Sequence, residues 1–308
     1  MRNDFTKQVN IEMKKNKNII FLTGDLGFNA LESIRTNFPD RFINVGVAEA
    51  NMIGIAAGLA LTGKKVITYS IAPFITLRAY EQIRNDICYQ NLDVKVVGTG
   101  GGFNYSTHGL SHHSIEDLAI MSVMPNMEVF SPSYSWEAKE SIRAMIKSKG
   151  PAYIRLGKNP ALDYSKPDFK FVVGQGYIIK PGKDILLMIT GNILDYGVTI
   201  ANIIKEEVGL NICLVSMPSI KPIDEEWFLK VAKNMKMVAT MEEHSLHGGL
   251  ASKISMIFSQ SGLNKKFLPF GIPDRFIKDV GNRDFLLKKS GLDPETVSKK
   301  IIQCLKNI

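Results

Sequence analysis

Apolar positions along this chain switch repeatedly between a helical period and short β-branched runs. Phe5, Val9 and Met13 fall on one face of a helix over residues 4–15, and IIFLTGD (19–25) reads as a buried strand ending at a turn. FINVG (42–46) is a second short strand. In VGVAEANMIGIAAGLAL (45–61), Met52, Ile53, Ile55, Ala56, Leu59 and Ala60 recur at helical spacing. Gly54, Ala57 and Gly58 keep that helix thin, so another backbone can pack closely against it. KVITYS (65–70) is a further strand, followed by a helix through Tyr80, Ile83 and Ile87. VKVVGTGGG (94–102) reads as a strand and a glycine-rich loop. MEVFSPS (127–133), a helix over 136–147 and PAYIRL (151–156) complete a first domain over residues 1–157.

Residues 158–183 carry Pro160, Pro167 and Pro181 with dispersed charge and several glycines, the composition of a domain linker. A second domain over 184–308 opens on the strand DILLMITG (184–191), followed by a helix ending near residue 208. The strand NICLVSM (211–217), a helix from Asp224 and the strand MVATMEE (237–243) follow. Strands alternating with helices at this spacing predict an α/β fold: two three-layer α/β/α domains with mainly parallel sheets.

Composition narrows the function classes. The 308 residues suffice for two domains with ordinary cores. No apolar run reaches about 18 residues, which argues against a membrane span, and the mixed-charge start has no apolar signal core. The three cysteines, Cys88, Cys213 and Cys304, show no CxxC spacing, so neither disulfides nor a zinc site is expected, and the cytoplasm is the expected compartment. The formal charge of +8 is spread over isolated lysines with no aromatic-interleaved basic stripe, which argues for a solvated surface and against nucleic acid.

Three places could carry chemistry. Glu49 stands where a glycine-containing turn gives way to the small-residue helix. It reads either as a helix-start carboxylate favoured by the macrodipole or as a buried acid with a raised pKa suited to proton traffic. Gly100–Gly102 lacks nucleotide-binding spacing and signals only close backbone approach. His108, His112 and His113 crowd into six residues of a chain with five histidines. A metal would need a further ligand; imidazoles in a loop suit proton transfer. Ser114 and Asp117 have capping-box spacing, which predicts a helix directly after the histidines.

The 45–61 stretch, YSIAPFITLRAYEQIRND (69–86) and THGLSHHSIEDLA (107–119), in this order, resemble the pyrimidine-binding domain of the transketolase family of thiamine diphosphate enzymes. MEEHSLHGGLASKI (241–254) and KSGLDPETVSKKI (289–301) are similar to that family's last domain, so the resemblance covers nearly the whole chain but only the second half of a full-length transketolase. It implies that Glu49 bonds the N1′ position of the cofactor's aminopyrimidine and favours the tautomer that deprotonates the thiazolium. It implies further that Phe74, Leu77, Tyr80 and Asp25 surround the cofactor, with Leu77 at a position where transketolase stacks an aromatic ring. His112 is implied as a substrate-contacting group, Arg78 matches an arginine of the related deoxyxylulose-phosphate synthases, and Arg2 and Arg155 match arginines that grip a substrate phosphate.

Two positions depart from the family: His108 replaces an aspartate that contacts a donor hydroxyl, and Gly100 replaces a histidine near the phosphate. These leave the sugar open. The family's Mg²⁺-holding GDG motif is missing, and Gly24–Asp25 is followed by Leu26. The resemblance therefore implies a separate N-terminal subunit supplying the diphosphate and Mg²⁺ site in a two-plus-two heterotetramer. The expected activity is transfer of a two-carbon ketol unit from a ketose or its phosphate to an aldose. The alternatives are the β subunit of a 2-oxoacid dehydrogenase first component, a deoxyxylulose-phosphate-synthase-like enzyme, or a non-catalytic scaffold subunit.

Overall fold

A computed structural model describes residues 1–27, 29–158 and 162–306. The first domain begins with α1 (Arg2–Lys15), β1 (Ile19–Thr23), α2 (Glu32–Asn37), β2 (Phe42–Asn44), α3 (Glu49–Leu61) and β3 (Lys65–Ile71). The next helical segment is wound more widely than an α-helix at Phe74–Arg78 and Ile83–Cys88, on either side of α4 (Tyr80–Gln82). Its buried positions explain why. Ile75, Ala79, Ile83 and Ile87 repeat every fourth residue, a spacing that drifts around a 3.6-residue helix, and wide turns take up the drift. β4 (Val94–Thr99), α5 (Asp117–Ser122), β5 (Glu128–Phe130), α6 (Ser135–Lys147) and β6 (Ala152–Leu156) finish the unit.

The second domain comprises β7 (Tyr177–Lys180), β8 (Ile185–Thr190), α7 (Leu194–Val208), β9 (Ile212–Ser216), β10 (Ser219–Lys221), α8 (Glu225–Ala232), β11 (Met237–Ser245), α9 (Leu250–Ser261), β12 (Lys266–Ile272), α10 (Arg283–Lys289) and α11 (Pro294–Lys306). Asp224 caps α8 as its position suggests, accepting from Trp227 N at 2.9 Å. The larger sheet has the order β10-β5-β6-β4-β3-β1-β2 and the smaller β12-β11-β8-β9-β7. Among the described strands only β10 and β7 run antiparallel to their neighbours, so the mainly parallel α/β architecture is as expected.

Three local expectations change. Part of the stretch read as linker, β7, forms an edge of the second sheet against β9, while its Pro160 lies outside the described residues. The Ser114/Asp117 spacing does not make a capping box: Glu116 precedes α5 without a side-chain cap. Ser114 is held by backbone pairing with Gly102, and Asp117 is buried, accepting from the Tyr153 hydroxyl at 2.6 Å. The strand β10, unassigned in the sequence, crosses from the second domain to pair Ser219 with Phe130 of the first sheet.

That crossing strand makes the core continuous. One apolar cluster runs from Met52, Ile83 and Leu118 under α3 and α5 through Met217 and Ile220 to Phe228 and Val238 of the second domain. A second lies under α1 and α6, and a third packs α7 and α11 on the smaller sheet. The helices thus cover both faces of each sheet and leave the carboxyl ends of β1, β2, β3 and β4 to the loops, the usual place for a site in such folds.

Candidate active site

Glu49 opens α3 and is 1% exposed, so the burial anticipated for this carboxylate holds. Its position is set by strand register. Thr23 lies beside Tyr69 and Asn44, and the next residues along each strand, Gly24 and Ser70, border the carboxylate. Ser70 Oγ donates to Glu49 Oε1 at 2.8 Å, and Arg78 Nη1 donates to Oε2 at 2.6 Å. A buried carboxylate is tolerated only when paired and hydrogen-bonded, and here both oxygens are met.

Arg78 is itself half-exposed, with its guanidinium 5.0 Å from the centre of the Phe74 ring. Phe74 meets His112 edge-on at 5.0 Å between ring centres. His112 packs at 5.0 Å from His108, and Tyr105 stands edge-on to both imidazoles. Glu49, Arg78, Phe74, His112 and His108 therefore form one continuous wall. Burial, with His108 and His113 close by, lowers the pKa of His112 below its ordinary value, so this imidazole is neutral at pH 7.

The remaining predicted residues are Leu77, Tyr80, Asp25, Arg2 and Arg155. Leu77 sits outward on the wide-turned segment at 53% exposure, whereas the Tyr80 hydroxyl donates to Ile120 O at 3.2 Å and backs the wall. Asp25 adopts φ +55°, and Asn44 holds it there: Asp25 N donates to Asn44 Oδ1 and Asn44 Nδ2 to Asp25 Oδ1, each at 2.9 Å. Side-chain hydrogen bonds of this kind let a non-glycine residue keep a left-handed conformation. Arg2 lies near the Tyr69 phenol, whose pKa burial raises and Arg2 partly restrains.

Arg155 is placed differently from a phosphate-gripping arginine. It is buried, and its Nη2 donates to Ser114 O and Glu243 O, each at 2.7 Å, with Nε 3.6 Å from Asp117. It joins the two domains. Glycines make room for such side chains: a Cβ on Gly100 would overlap the Tyr105 ring, one on Gly101 would overlap Arg155, and one on Gly102 would lie 2.5 Å from Glu243. The close approach expected of Gly100–Gly102 is thus real. Ser70, Asn44 and Tyr105 were not singled out in the sequence, because a serine and an asparagine near strand ends and a tyrosine in a loop carry no pattern of their own.

Residues 1–161 match the transketolase pyrimidine binding domain and residues 174–297 the transketolase C-terminal domain. One chain of the apulose-4-phosphate transketolase of Actinobacillus succinogenes is 35% identical over 84% of this chain and 83% of its own length. Its counterpart from Phocaeicola vulgatus is 31% identical over 99% and 97%. A solved split-gene transketolase, described as an inactive β4 tetramer, superposes with a TM-score of 0.87 at 34% identity, covering 99% of this chain and 97% of the other.

Proposed function

The chain belongs to the transketolase family, and from that membership we propose that it is the C-terminal subunit of a split transketolase. In this reading it transfers a two-carbon ketol unit from a ketose or ketose phosphate to an aldose acceptor in the cytoplasm. The observation that carries it is the buried Glu49 carboxylate, set by Ser70 and Arg78 at the strand ends beside a wall of Phe74, His112 and His108.

Thiamine diphosphate, which the family implies, asks for a buried carboxylate toward its aminopyrimidine and an apolar ledge beside it. Glu49 supplies the first, and Phe74 with the outward Leu77 the second, so these residues fit the group. When bound, that cofactor supplies the nucleophilic carbon and electron sink needed to break a ketose C–C bond. Glu49 holds a proton at the pyrimidine nitrogen, and burial sharpens that interaction by excluding water. For Oε2 to serve there, Arg78 has to release it, which its exposure and its packing on Phe74 permit. Once released, Arg78 offers a cation to an anionic group of the substrate at the mouth of the cleft. Neutral His112, with His108 beside it, exchanges protons with substrate oxygens.

A separate N-terminal subunit holds the diphosphate and Mg²⁺ in this proposal, giving a two-plus-two heterotetramer. Support comes from relatives described as transketolase subunits, matched over 83% and 97% of their own length, and from exposed Val47, Leu77 and Leu110 around the site. The relative described as an inactive β4 tetramer points the same way. Calorimetric titration of thiamine diphosphate with Mg²⁺ tests it, on this chain alone and mixed with the candidate partner. Binding confined to the mixture, with turnover of ketose donors, is expected. Tight binding by the single chain, or turnover of 2-oxoacids with an electron acceptor instead of ketoses, refutes it.

A further inference from the structure

The histidines of the site belong to a loop that the second domain holds. Residues 102–114 form a closed loop whose ends pair: Gly102 N donates to Ser114 O at 2.8 Å and Ser114 N to Gly102 O at 3.0 Å. Compact loops of this length with joined ends are commonly functional. Inside it, two tight helical turns, Ser106–His108 and Leu110–His112, carry His108 and His112.

The end of β11 grips the base of this loop. Glu243, 3% exposed, accepts from Phe103 N through Oε1 at 2.8 Å. Its own backbone oxygen and that of Ser114 share Arg155. Ser245 N donates to Ile115 O at 2.9 Å, and Ala119 N donates to His244 Nε2 at 3.3 Å. Glu243 is fixed in turn by Arg283 of α10, which approaches both carboxylate oxygens through Nε at 3.1 and 3.2 Å and donates through Nη2 to Oε2 at 2.7 Å. Arg283 also donates to Asn192 O at 3.2 Å, and Asn192 reaches back to Asn104 of the loop.

The grip extends inward. Phe103 is fully buried and meets the His113 ring edge-on at 5.1 Å, while His113 Nε2 lies 3.3 Å from Ser106 O. His113 is the residue next to His112. A shift at Phe103 therefore has a packed route to the histidine wall.

We propose that the Glu243–Arg283 ion pair of the second domain is a positioning device for the histidine loop, fixing Phe103 and thereby the placement of His108 and His112 in the wall that Phe74 and Arg78 continue to Glu49. Its relevance to turnover rests on the function proposed above; its structural content does not. Among the described residues neither side chain hydrogen-bonds or ion-pairs with the wall, although α10 packs against the turn that carries His108. A pair serving only to glue the domains together would have no preferred target, whereas this one accepts directly from the loop backbone and closes on a glycine that leaves room for it.

The test combines amide hydrogen exchange on the full chain with kinetics of the assembled enzyme. Glu243→Ala and Arg283→Met are expected to raise exchange in residues 103–113 at least about tenfold while β8 and β11 stay protected, and Arg283→Lys to restore much of the protection. The double variant Glu243→Gln/Arg283→Met leaves no unpaired buried charge and serves if a single variant does not fold. In the assembled enzyme, Glu243→Ala is expected to lower kcat about 10- to 100-fold and to add nothing to His112→Ala, because both act through the same group. Unchanged exchange in the loop, or a uniform rise over both domains, overturns the proposal, as does full additivity with His112→Ala. A protein with no thiamine-dependent turnover at all refutes the proposed function and leaves the exchange result standing.

Discussion

Glu49 and Arg78 share a single hydrogen bond that poses opposite demands on the two residues. Glu49 is buried with Ser70 and Arg78 as its partners, so removing it takes away a proton site without opening the core. Glu49→Gln is expected to lower turnover by about 100- to 10 000-fold, the range of a lost general acid–base group, with an unchanged circular dichroism spectrum; retained turnover would remove the proton role. Arg78 is half-exposed and stacked on Phe74. Arg78→Ala leaves Glu49 a buried carboxylate with one partner fewer. If Arg78 both occupies Oε2 and meets an anionic substrate, this variant tightens thiamine diphosphate binding in the assembled enzyme and raises KM for a phosphorylated donor by about tenfold or more. Calorimetry and donor kinetics separate the two effects. In the sequence Glu49 stood out as a carboxylate at the start of a small-residue helix, and the family resemblance of the spaced blocks singled it out. Its pairing with Arg78, 29 positions away, was not legible there, since only the wide-turned segment brings the guanidinium back over the strand ends.

Among elements, α6 carries a charge that its amphipathic pattern hides. Glu137 is fully buried, Oε2 accepts from Ser133 N at 2.8 Å, and burial raises its pKa to about 7. The folded state thus keeps a proton that the unfolded chain releases above its ordinary value of 4.5. Its stabilising contribution is complete below that value and is lost as pH rises through about 7. Glu137→Gln is expected to gain little at pH 5 and to stabilise by about 1–3 kcal/mol at pH 8, as read by denaturant unfolding at the two values. An equal effect at both would show that the carboxyl does not titrate in this window. The segment from Phe74 to Cys88 makes a related point. Tyr80, Ile83 and Ile87 announced a helix, but the fourfold spacing of buried residues selected wider turns, and that winding sets Phe74, Leu77 and Arg78 on the outer side.

At the scale of the molecule, two sheets are tied by β10, which leaves the second domain to pair with β5, and by Arg155 and Glu243 across the boundary. No described helix is long and apolar enough to cross a membrane. The α3 face carrying Gly54 and Gly58 has open space where side chains would be, so the thin surface foreseen there meets no other part of this chain among the described residues. A partner subunit is proposed to complete the site, and native mass spectrometry of the reconstituted enzyme is expected to give two copies of each subunit. An assembly containing this chain alone that turns over ketoses would contradict that stoichiometry.

Apolar periodicity determined the alternation of strands and helices, because burying one face of each element is dictated locally. Spaced blocks around Glu49, Arg78 and His112 were enough to suggest the family. Tertiary structure decided what depends on distant partners. Asp117 turned from a presumed cap into the acceptor of a buried tyrosine, and part of the expected linker became an edge strand. Arg155, read as a phosphate ligand, faces two backbone carbonyls, and Glu243 reaches the histidine loop from 140 positions away. Such pairings leave no local trace, since any buried charge accepts whichever complementary group folding brings within reach.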